Sequence, residues 1–153
     1  MFDNLSNRLF FRLYQTANTL QKVGAQALIE EQVTTQQWSV LGALSRPCVG
    51  NGMSVSELCD YLKLSRQNIS GILNRLEERG VITRTIDPND QRARLICLTE
   101  DGEKLWASIT PLINGFYEDA LAGFSEDDRI SFVHYLNKLF DAMLKMDRTK
   151  TNS

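Results

Sequence analysis

Apolar residues recur every three or four positions along most of this chain, the spacing that places them on one face of an α-helix. The pattern is clearest at four residues spaced i, i+3, i+4 and i+7, which are Ile69, Ile72, Leu73 and Leu76. The positions between them are mostly polar, so one stripe of the predicted helix is buried and the opposite face meets solvent. The pattern therefore predicts an amphipathic helix in the middle of the chain.

Capping residues delimit this helix and a shorter one before it. Ser54 and Glu57 have the spacing of a capping box, in which a hydroxyl and a carboxylate satisfy backbone N–H groups at a helix start. Ser65 is positioned as the N-cap of the second helix, and Gly80 as the residue that ends it. Two short helices separated only by a turn predict a helix-turn-helix.

The pattern changes from helical to strand-like after Gly80. Residues 81–86 and 94–98 are rich in β-branched and aliphatic side chains and are predicted to be strands. Between them, residues 87–90 read Asp-Pro-Asn-Asp, a strong turn signal. A hairpin directly after a helix pair predicts a winged helix-turn-helix. Asp90, two residues before Arg92, is expected to hold the arginine side chain in place.

The exposed face of the second helix is rich in hydrogen-bonding groups and nearly free of acidic residues. Arg, Asn and Gln side chains can each bond a base edge bidentately in the major groove. Arginines near the tip of a narrow hairpin can enter the minor groove, where the negative potential attracts guanidinium. The helix and the wing are therefore predicted to bind DNA. The candidate DNA-contacting residues are Ser65, Arg66, Gln67, Asn68, Ser70, Asn74, Arg75, Arg84, Asp90, Arg92 and Arg94.

Helices with a large apolar surface are predicted on both sides of this module. The N-terminal helix has an apolar seam of period 3.5, which suits packing of helix on helix. A single winged helix cannot cover all of this surface, so we favour terminal helices that intertwine between two subunits over a self-contained bundle. The N-terminal seam consists of Leu9, Leu13, Thr16, Leu20, Val23 and Ala27.

The predicted fold is mainly α with a small β-wing: a winged helix-turn-helix with N- and C-terminal dimerisation helices. We expect the winged helix-turn-helix at about 34–99 and the dimerisation helices at about 5–31 and 100–146. All of them belong to one domain of residues 1–153. The last helix is expected to end near Met146, and the residues after it are expected to fray.

The segment 90–99, DQRARLICLT, resembles the D-x-R-…-L-T wing motif of the MarR family of bacterial regulators. Residues 76–82, LEERGVI, and the order of the predicted elements are similar to that family too. The resemblance covers essentially the whole chain. It implies a homodimeric transcription factor, usually a repressor, that binds a pseudo-palindromic operator and is released by a small ligand or by cysteine oxidation. We expect control of a catabolic or an efflux/resistance operon.

The same resemblance implies an effector site where the dimerisation helices meet the winged module. Aromatic and aliphatic side chains are expected to line it, and an arginine can hold a carboxylate in a bidentate pair. We expect an aromatic acid or an aromatic acyl thioester as the effector. An ordinary core with solvated arginines is the competing interpretation. The candidate ligand-binding residues are Arg8, Phe11, Arg12, Trp38, Ile109 and Ile113.

Cysteine chemistry offers an alternative switch. The three cysteines are widely spaced, which predicts reduced thiols rather than a disulfide framework. Cys48, in a loop, is the candidate for a redox sensor, whereas Cys59 and Cys97 are expected to point inward. A winged helix that binds only proteins is a further alternative, although such a face would carry aromatic or aliphatic anchors.

Composition narrows the remaining classes of function. With His134 as its one histidine and no catalytic motif, the chain is expected to be neither an enzyme nor a metal or cofactor protein. The net charge is −2, but residues 54–99 hold seven basic and six acidic side chains, whereas ten acidic and six basic ones follow. The acid therefore lies away from the predicted DNA-binding part. No membrane span or export signal is evident, so a cytoplasmic location is expected.

Overall fold

The protein, seen here in a computed structural model, is mainly helical with a two-stranded antiparallel wing, as predicted. The structure describes residues 4–151. No helix within that range is long and apolar enough to cross a membrane. The elements in chain order are α1 (Asn4–Ala27), α2 (Thr35–Leu44), α3 (Val55–Leu62), α4 (Arg66–Glu78), β1 (Ile82–Asp87), β2 (Asp90–Leu98), α5 (Glu100–Ala120) and α6 (Glu126–Thr151).

The chain divides into two compact units, the first reaching Phe116 and the second beginning at Tyr117. The division falls inside α5 rather than before it, where the sequence places the end of the winged module. The helix runs on through Pro111 without interruption. One expectation is wrong: α6 extends to Thr151, well past Met146, so its last residues are helical rather than frayed.

The predicted capping residues start and end the helices of the first unit. Ser54 accepts from the Glu57 N–H at 3.1 Å, and the Glu57 carboxylate accepts from the Ser54 N–H at 2.7 Å. Ser65 Oγ accepts from the Asn68 N–H at 3.2 Å, as an N-cap should. Gly80 follows α4 with a φ of 79°, the left-handed conformation that glycine adopts without strain.

The core of the first unit joins α2, α3, α4, the base of the wing and α5. The stripe predicted on α4 is buried, with Ile69, Leu73 and Leu76 fully hidden from solvent. Burying such side chains contributes about 1.5–3 kcal/mol each, so this stripe fixes α4 against its neighbours. The largest fully buried side chains of the core are Leu28, Val40, Leu41, Leu58, Ile69, Leu73, Leu76, Ile82, Ile96 and Ile109.

The wing is tied to the loop between α2 and α3. β1 and β2 pair from Ile82↔Leu98 to Ile86↔Arg94, with an irregularity just before the tip. Met53 adds a bridge to Ile96, through backbone bonds of 3.0 and 2.7 Å. This bridge holds the base of the wing in the core while its tip projects away.

A close contact joins the start of α5 to the turn between α4 and β1. Thr99 donates from its hydroxyl to the Gly80 carbonyl at 2.7 Å and from its N–H to the Val81 carbonyl at 3.1 Å. The Gly102 N–H in turn donates to the Thr99 hydroxyl at 3.0 Å. A Cβ placed on Gly102 would come within 2.0 Å of the Val81 oxygen. Only glycine permits this approach of helix to turn.

We predict that Gly102→Ala lowers the free energy of unfolding by about 1–3 kcal/mol, because its methyl group displaces the backbone of the turn. Gly115→Ala is the matched control, since Gly115 lies in the same helix with nothing within 4 Å of an added Cβ. That variant should be neutral or stabilising by up to ~1 kcal/mol. Urea denaturation at one protein concentration measures both. Equal effects of the two substitutions would contradict the close contact.

Candidate nucleic-acid interface

The outer face of α4 is the largest set of predicted DNA-contacting residues that the fold brings together. All of them are exposed, on the side of the helix opposite the buried stripe. The first turn of α4 carries no acidic residue, so the partial positive charge of the helix N-terminus is not neutralised there. This face can accept an anionic partner. Its members are Arg66, Gln67, Asn68, Ser70, Asn74 and Arg75.

Several of these side chains already have partners within the protein. The Ser65 hydroxyl caps the helix, and the Ser70 hydroxyl donates to the Arg66 carbonyl at 2.7 Å. The Arg66 guanidinium donates to the Ser56 hydroxyl on α3. Gln67 and Arg75 make no side-chain hydrogen bond to any residue that the structure describes. The most available groups on α4 are therefore an amide near its start and a guanidinium near its end.

Arg84 on β1 points back to α4 rather than outward. Its Nε lies 3.2 Å from Glu77 Oε2, and its Nη2 donates to Asn74 Oδ1 at 3.1 Å. The Arg84 side chain is only 30% exposed. This arginine joins the recognition helix to the wing, so Arg84 and Asn74, two candidate DNA contacts, are first of all partners of each other. A carbonyl oxygen has two lone pairs, so Asn74 can still accept a second bond.

Sequence reasoning missed this arginine's role. A signal existed in the opposite charges of Glu77 and Arg84, which flank the Gly80 turn. The alternation of a strand and the period of a helix do not predict by themselves that the two side chains meet. Their meeting depends on the angle between α4 and β1.

The wing tip departs from the predicted arrangement at Asp90. Its carboxylate accepts from the backbone N–H of Arg92 at 3.0 Å, so it shapes the turn and does not hold the arginine side chain as expected. Asp87 does the same for Asn89 at 2.8 Å. Arg94 Nη1 reaches back to the Gln91 and Ala93 carbonyls at 3.3 and 3.4 Å. The exposed Arg92 guanidinium bonds no described residue and is the available cation of the wing.

The candidate ligand-binding residues fall into two separate groups. Ile109 and Ile113 are core residues with 0% and 4% exposure, and Trp38 packs against that core, edge-on to Phe116 at 6.1 Å between ring centroids. Gly24 of α1 lies against the Trp38 ring. The first group is thus an interior cluster beneath the C-terminal half of α1.

The second group lies on the N-terminal half of α1. Arg8, Phe11 and Arg12 border an open groove of about 560 Å³ whose lining comes from α1 alone. Arg12 is twelve residues before Gly24, which is roughly 18 Å along a helix. The structure therefore does not bring the two groups into one site within a single chain.

The cysteines differ in exposure. Cys48 is exposed in the short turn Pro47–Val49, and Cys59 is partly buried against the core. Cys97 is partly buried, and its thiol donates to the Asn51 carbonyl at 2.8 Å. Among the described residues, no three His, Cys, Asp or Glu side chains are grouped so as to hold a metal ion.

Comparison with known proteins identifies close relatives. A profile of the MarR family matches residues 31–93. The transcriptional activatory protein BadR of Rhodopseudomonas palustris is 48% identical over 144 residues, which are 94% of this chain and 82% of that protein. The transcriptional repressor CouR, solved with a 23-mer DNA duplex, has a TM-score of 0.76 and 27% identity, covering 91% of this chain and 96% of that one.

A second solved structure shares the fold at lower identity. The organohalide-sensing transcriptional regulator RdhR-CbdbA1625, in its 2,4-dichlorophenol-bound form, has a TM-score of 0.83 and 20% identity. The match covers 94% of this chain and 83% of that one.

The fold and the polar outer face of α4 define a winged-helix protein of the DNA-binding class. Its 48% identity to a curated regulator over nearly the whole chain extends the family match beyond the wing. The protein belongs to the MarR family, which confirms the resemblance seen in the wing motif. It is a DNA-binding transcriptional regulator and not an enzyme.

Proposed function

We propose that this regulator binds a pseudo-palindromic operator as a homodimer and is released from it by a small aromatic ligand. The observation that carries the DNA half of the proposal is the pairing of free donors on two adjacent elements. Gln67 and Arg75 are available on α4, and Arg92 is available on the wing. An amide can read a base edge, whereas an exposed guanidinium on a hairpin suits phosphate or a narrow minor groove.

The homodimer is supported by apolar surface that the chain itself leaves uncovered. Monomeric proteins rarely expose contiguous apolar patches of this kind, so a second copy of the chain is the proposed cover. The exposed apolar residues of the first helix are Leu5, Leu9, Phe10, Phe11, Tyr14, Leu20 and Val23. Those of the last helix are Ile130, Phe132, Val133, Tyr135, Leu136, Phe140, Met143 and Met146.

Two-fold symmetry sets the form of the operator. Two α4 helices related by a two-fold axis enter successive major grooves on one face of the duplex, about 10 bp apart. The operator is therefore an inverted repeat with half-sites one helical turn apart, read by residues 65–75. The wings, through Arg92 and Arg94, take the flanking AT-rich minor grooves.

Repression of a catabolic or efflux/resistance operon is the proposed outcome of binding. Activation is the second candidate, favoured by one observation: the relative with 48% identity is named a transcriptional activatory protein. The two outcomes differ in the direction of the change in transcription from a reporter carrying the operator. Deletion of the regulator raises reporter output under repression and lowers it under activation.

An aromatic acid or its acyl thioester is the proposed effector. The groove bordered by Arg8, Phe11 and Arg12 supports this proposal, because it combines guanidinium groups with an aromatic ring and is lined by one helix only. A partner subunit would complete such a groove into a pocket. The related fold solved with 2,4-dichlorophenol is consistent with an aromatic effector. Oxidation of the exposed Cys48 is the alternative switch.

We predict opposite kinds of DNA-binding defect for Arg92→Ala and Gln67→Ala. Arg92→Ala should weaken binding to all duplexes and reduce the salt slope by about 0.9, the value for one lost phosphate contact. Gln67→Ala should relax the preference at one base-pair position of each half-site, at a cost of about 1–3 kcal/mol on the preferred sequence. Titrations of selected and scrambled duplexes at several salt concentrations measure both effects. Uniform losses from both substitutions would contradict this division.

We predict that Tyr14→Glu produces a monomer, because a charge on the uncovered apolar face of α1 would be buried in the dimer. Tyr14 is 70% exposed in the single chain. Thr19→Glu is the matched control: it adds the same charge about 140° around the same helix. Sedimentation velocity distinguishes the two species. A Tyr14→Glu variant that stays dimeric would remove α1 from the interface.

We predict that an aromatic carboxylate or its coenzyme A thioester raises the thermal midpoint by about 5 °C at a hundredfold excess over its Kd. Arg12→Gln should abolish most of this rise, because it removes the proposed carboxylate partner. Lys22→Gln, which removes a cation elsewhere on α1, is the control. If no compound of the panel binds, but peroxide releases DNA in the wild type and not in Cys48→Ser, the redox alternative replaces this proposal.

A further inference from the structure

Arg79 connects the end of α4 to a turn that lies almost fifty residues earlier in the chain. It occupies the C-cap position of α4, directly before Gly80. Its Nη2 donates to the Glu31 carbonyl at 2.7 Å, and its Nη1 donates to the Gln32 carbonyl at 3.0 Å. One planar guanidinium thus bonds two successive carbonyls, a geometry that fixes direction as well as distance.

The turn that receives Arg79 is the exit from α1. It consists of the single 3₁₀ turn Ile29–Glu31 followed by Gln32, whose φ of 53° is left-handed. Left-handed backbone is uncommon for a residue other than glycine and persists where surrounding contacts hold it. The buried Leu28 and Val33 anchor the turn from inside, and Arg79 holds it from outside.

No other hydrogen bond described here joins the exit of α1 to α4. α1 is held to α2 separately, by the Thr35 hydroxyl bonded to the Gln21 carbonyl at 2.7 Å and by close packing of Gly24 on Trp38. The buried stripe keeps α4 in the core, but apolar packing is not directional. The paired bonds of Arg79 therefore supply an orientational restraint between α4 and the helix that carries the uncovered apolar surface.

We propose that Arg79 is a positioning residue that sets the spacing between the two half-sites, and so determines which operators are bound. This rests on the proposed homodimer and its paired half-sites. If α1 lies in the dimer interface and α4 in the DNA groove, the angle between them fixes the separation of the two recognition helices. Loss of the Arg79 bonds loosens this angle and leaves each recognition surface intact.

A direct phosphate contact by the exposed Arg79 is the competing role, and the two have different signatures. A phosphate contact strengthens binding to every duplex, including one with a single half-site, and its loss reduces the salt slope by about 0.9. A positioning role changes the response to half-site spacing alone. Affinity for a single half-site and the salt slope then stay as in the wild type.

The experiment uses the full-length protein and an operator selected with the wild type from a pool of random duplexes. Binding is measured on that operator, on a single half-site, and on versions with one, two or four base pairs inserted at the centre. The variants are Arg79→Gln and Arg79→Lys, which keeps the charge but loses the fork. Arg129→Gln is the matched control, because Arg129 also donates to a backbone carbonyl, that of Leu121, at 3.2 Å.

Two inserted base pairs rotate one half-site by roughly 70° relative to the other, so the wild type should lose about 100-fold in affinity. Arg79→Gln should lose no more than about 10-fold on the same duplex, while its affinity for a single half-site stays within about 2-fold of the wild type. Arg79→Lys should fall between, and Arg129→Gln should match the wild type. Thermal midpoints identify any variant that fails to fold; if Arg79→Gln does, Arg79→Lys decides the comparison.

Three results would overturn the inference. Arg79→Gln could retain the full loss on the inserted duplexes, or weaken binding to the single half-site together with a reduced salt slope. Arg129→Gln could tolerate the insertions equally well. Failure of the selection to enrich any paired half-sites would instead overturn the proposed operator, and the role of Arg79 with it.

Discussion

The turn between α4 and β1 is the constraint on which the arrangement of the DNA-binding surface depends. Gly80 ends the recognition helix, and Thr99 holds the carbonyls of Gly80 and Val81 at the start of α5. Because Gly102 carries no side chain, the first turn of α5 can approach the Val81 backbone. The orientation of the recognition helix, the direction of the wing and the start of α5 are therefore fixed at one place.

The surface around that turn separates residues that hold the structure from residues that are free to bind. Arg84 joins the wing to α4 through Glu77 and Asn74, so its charge is partly neutralised within the protein. Arg75 and Arg92 bond no described residue and remain available. A small set of free cations on a rigid frame explains how a chain of net charge −2 can meet a polyanion with one face.

The regulator combines a completed module with surfaces that one chain leaves incomplete. The core of the first unit is closed around α4, with its largest apolar side chains hidden from solvent. The N-terminal half of α1 instead exposes aromatic rings and an open groove beside Arg8 and Arg12. The proposed dimer covers this surface and completes the proposed effector site in the same step, which would link ligand binding to the separation of the recognition helices.

The sequence by itself determined the local elements of this protein. The capping box of Ser54, the N-cap at Ser65, the buried stripe of α4 and the hairpin after Gly80 all follow from interactions between residues a few positions apart. Such patterns also carry the wing motif by which the family resemblance was found. For the end of α6 the local pattern failed, because the apolar stripe stops before the helix does.

Only the tertiary structure decided which side chains meet across the fold. The bonds of Arg84 to Glu77 and of Arg79 to the exit of α1, and the fit of Gly102 against Val81, join segments separated along the chain. It also separated the candidate ligand residues into a buried group and an open groove. Periodicity states which face of an element is apolar, but the angles at which elements pack are set by the whole core. Contacts between the polar groups at the ends of elements follow from those angles.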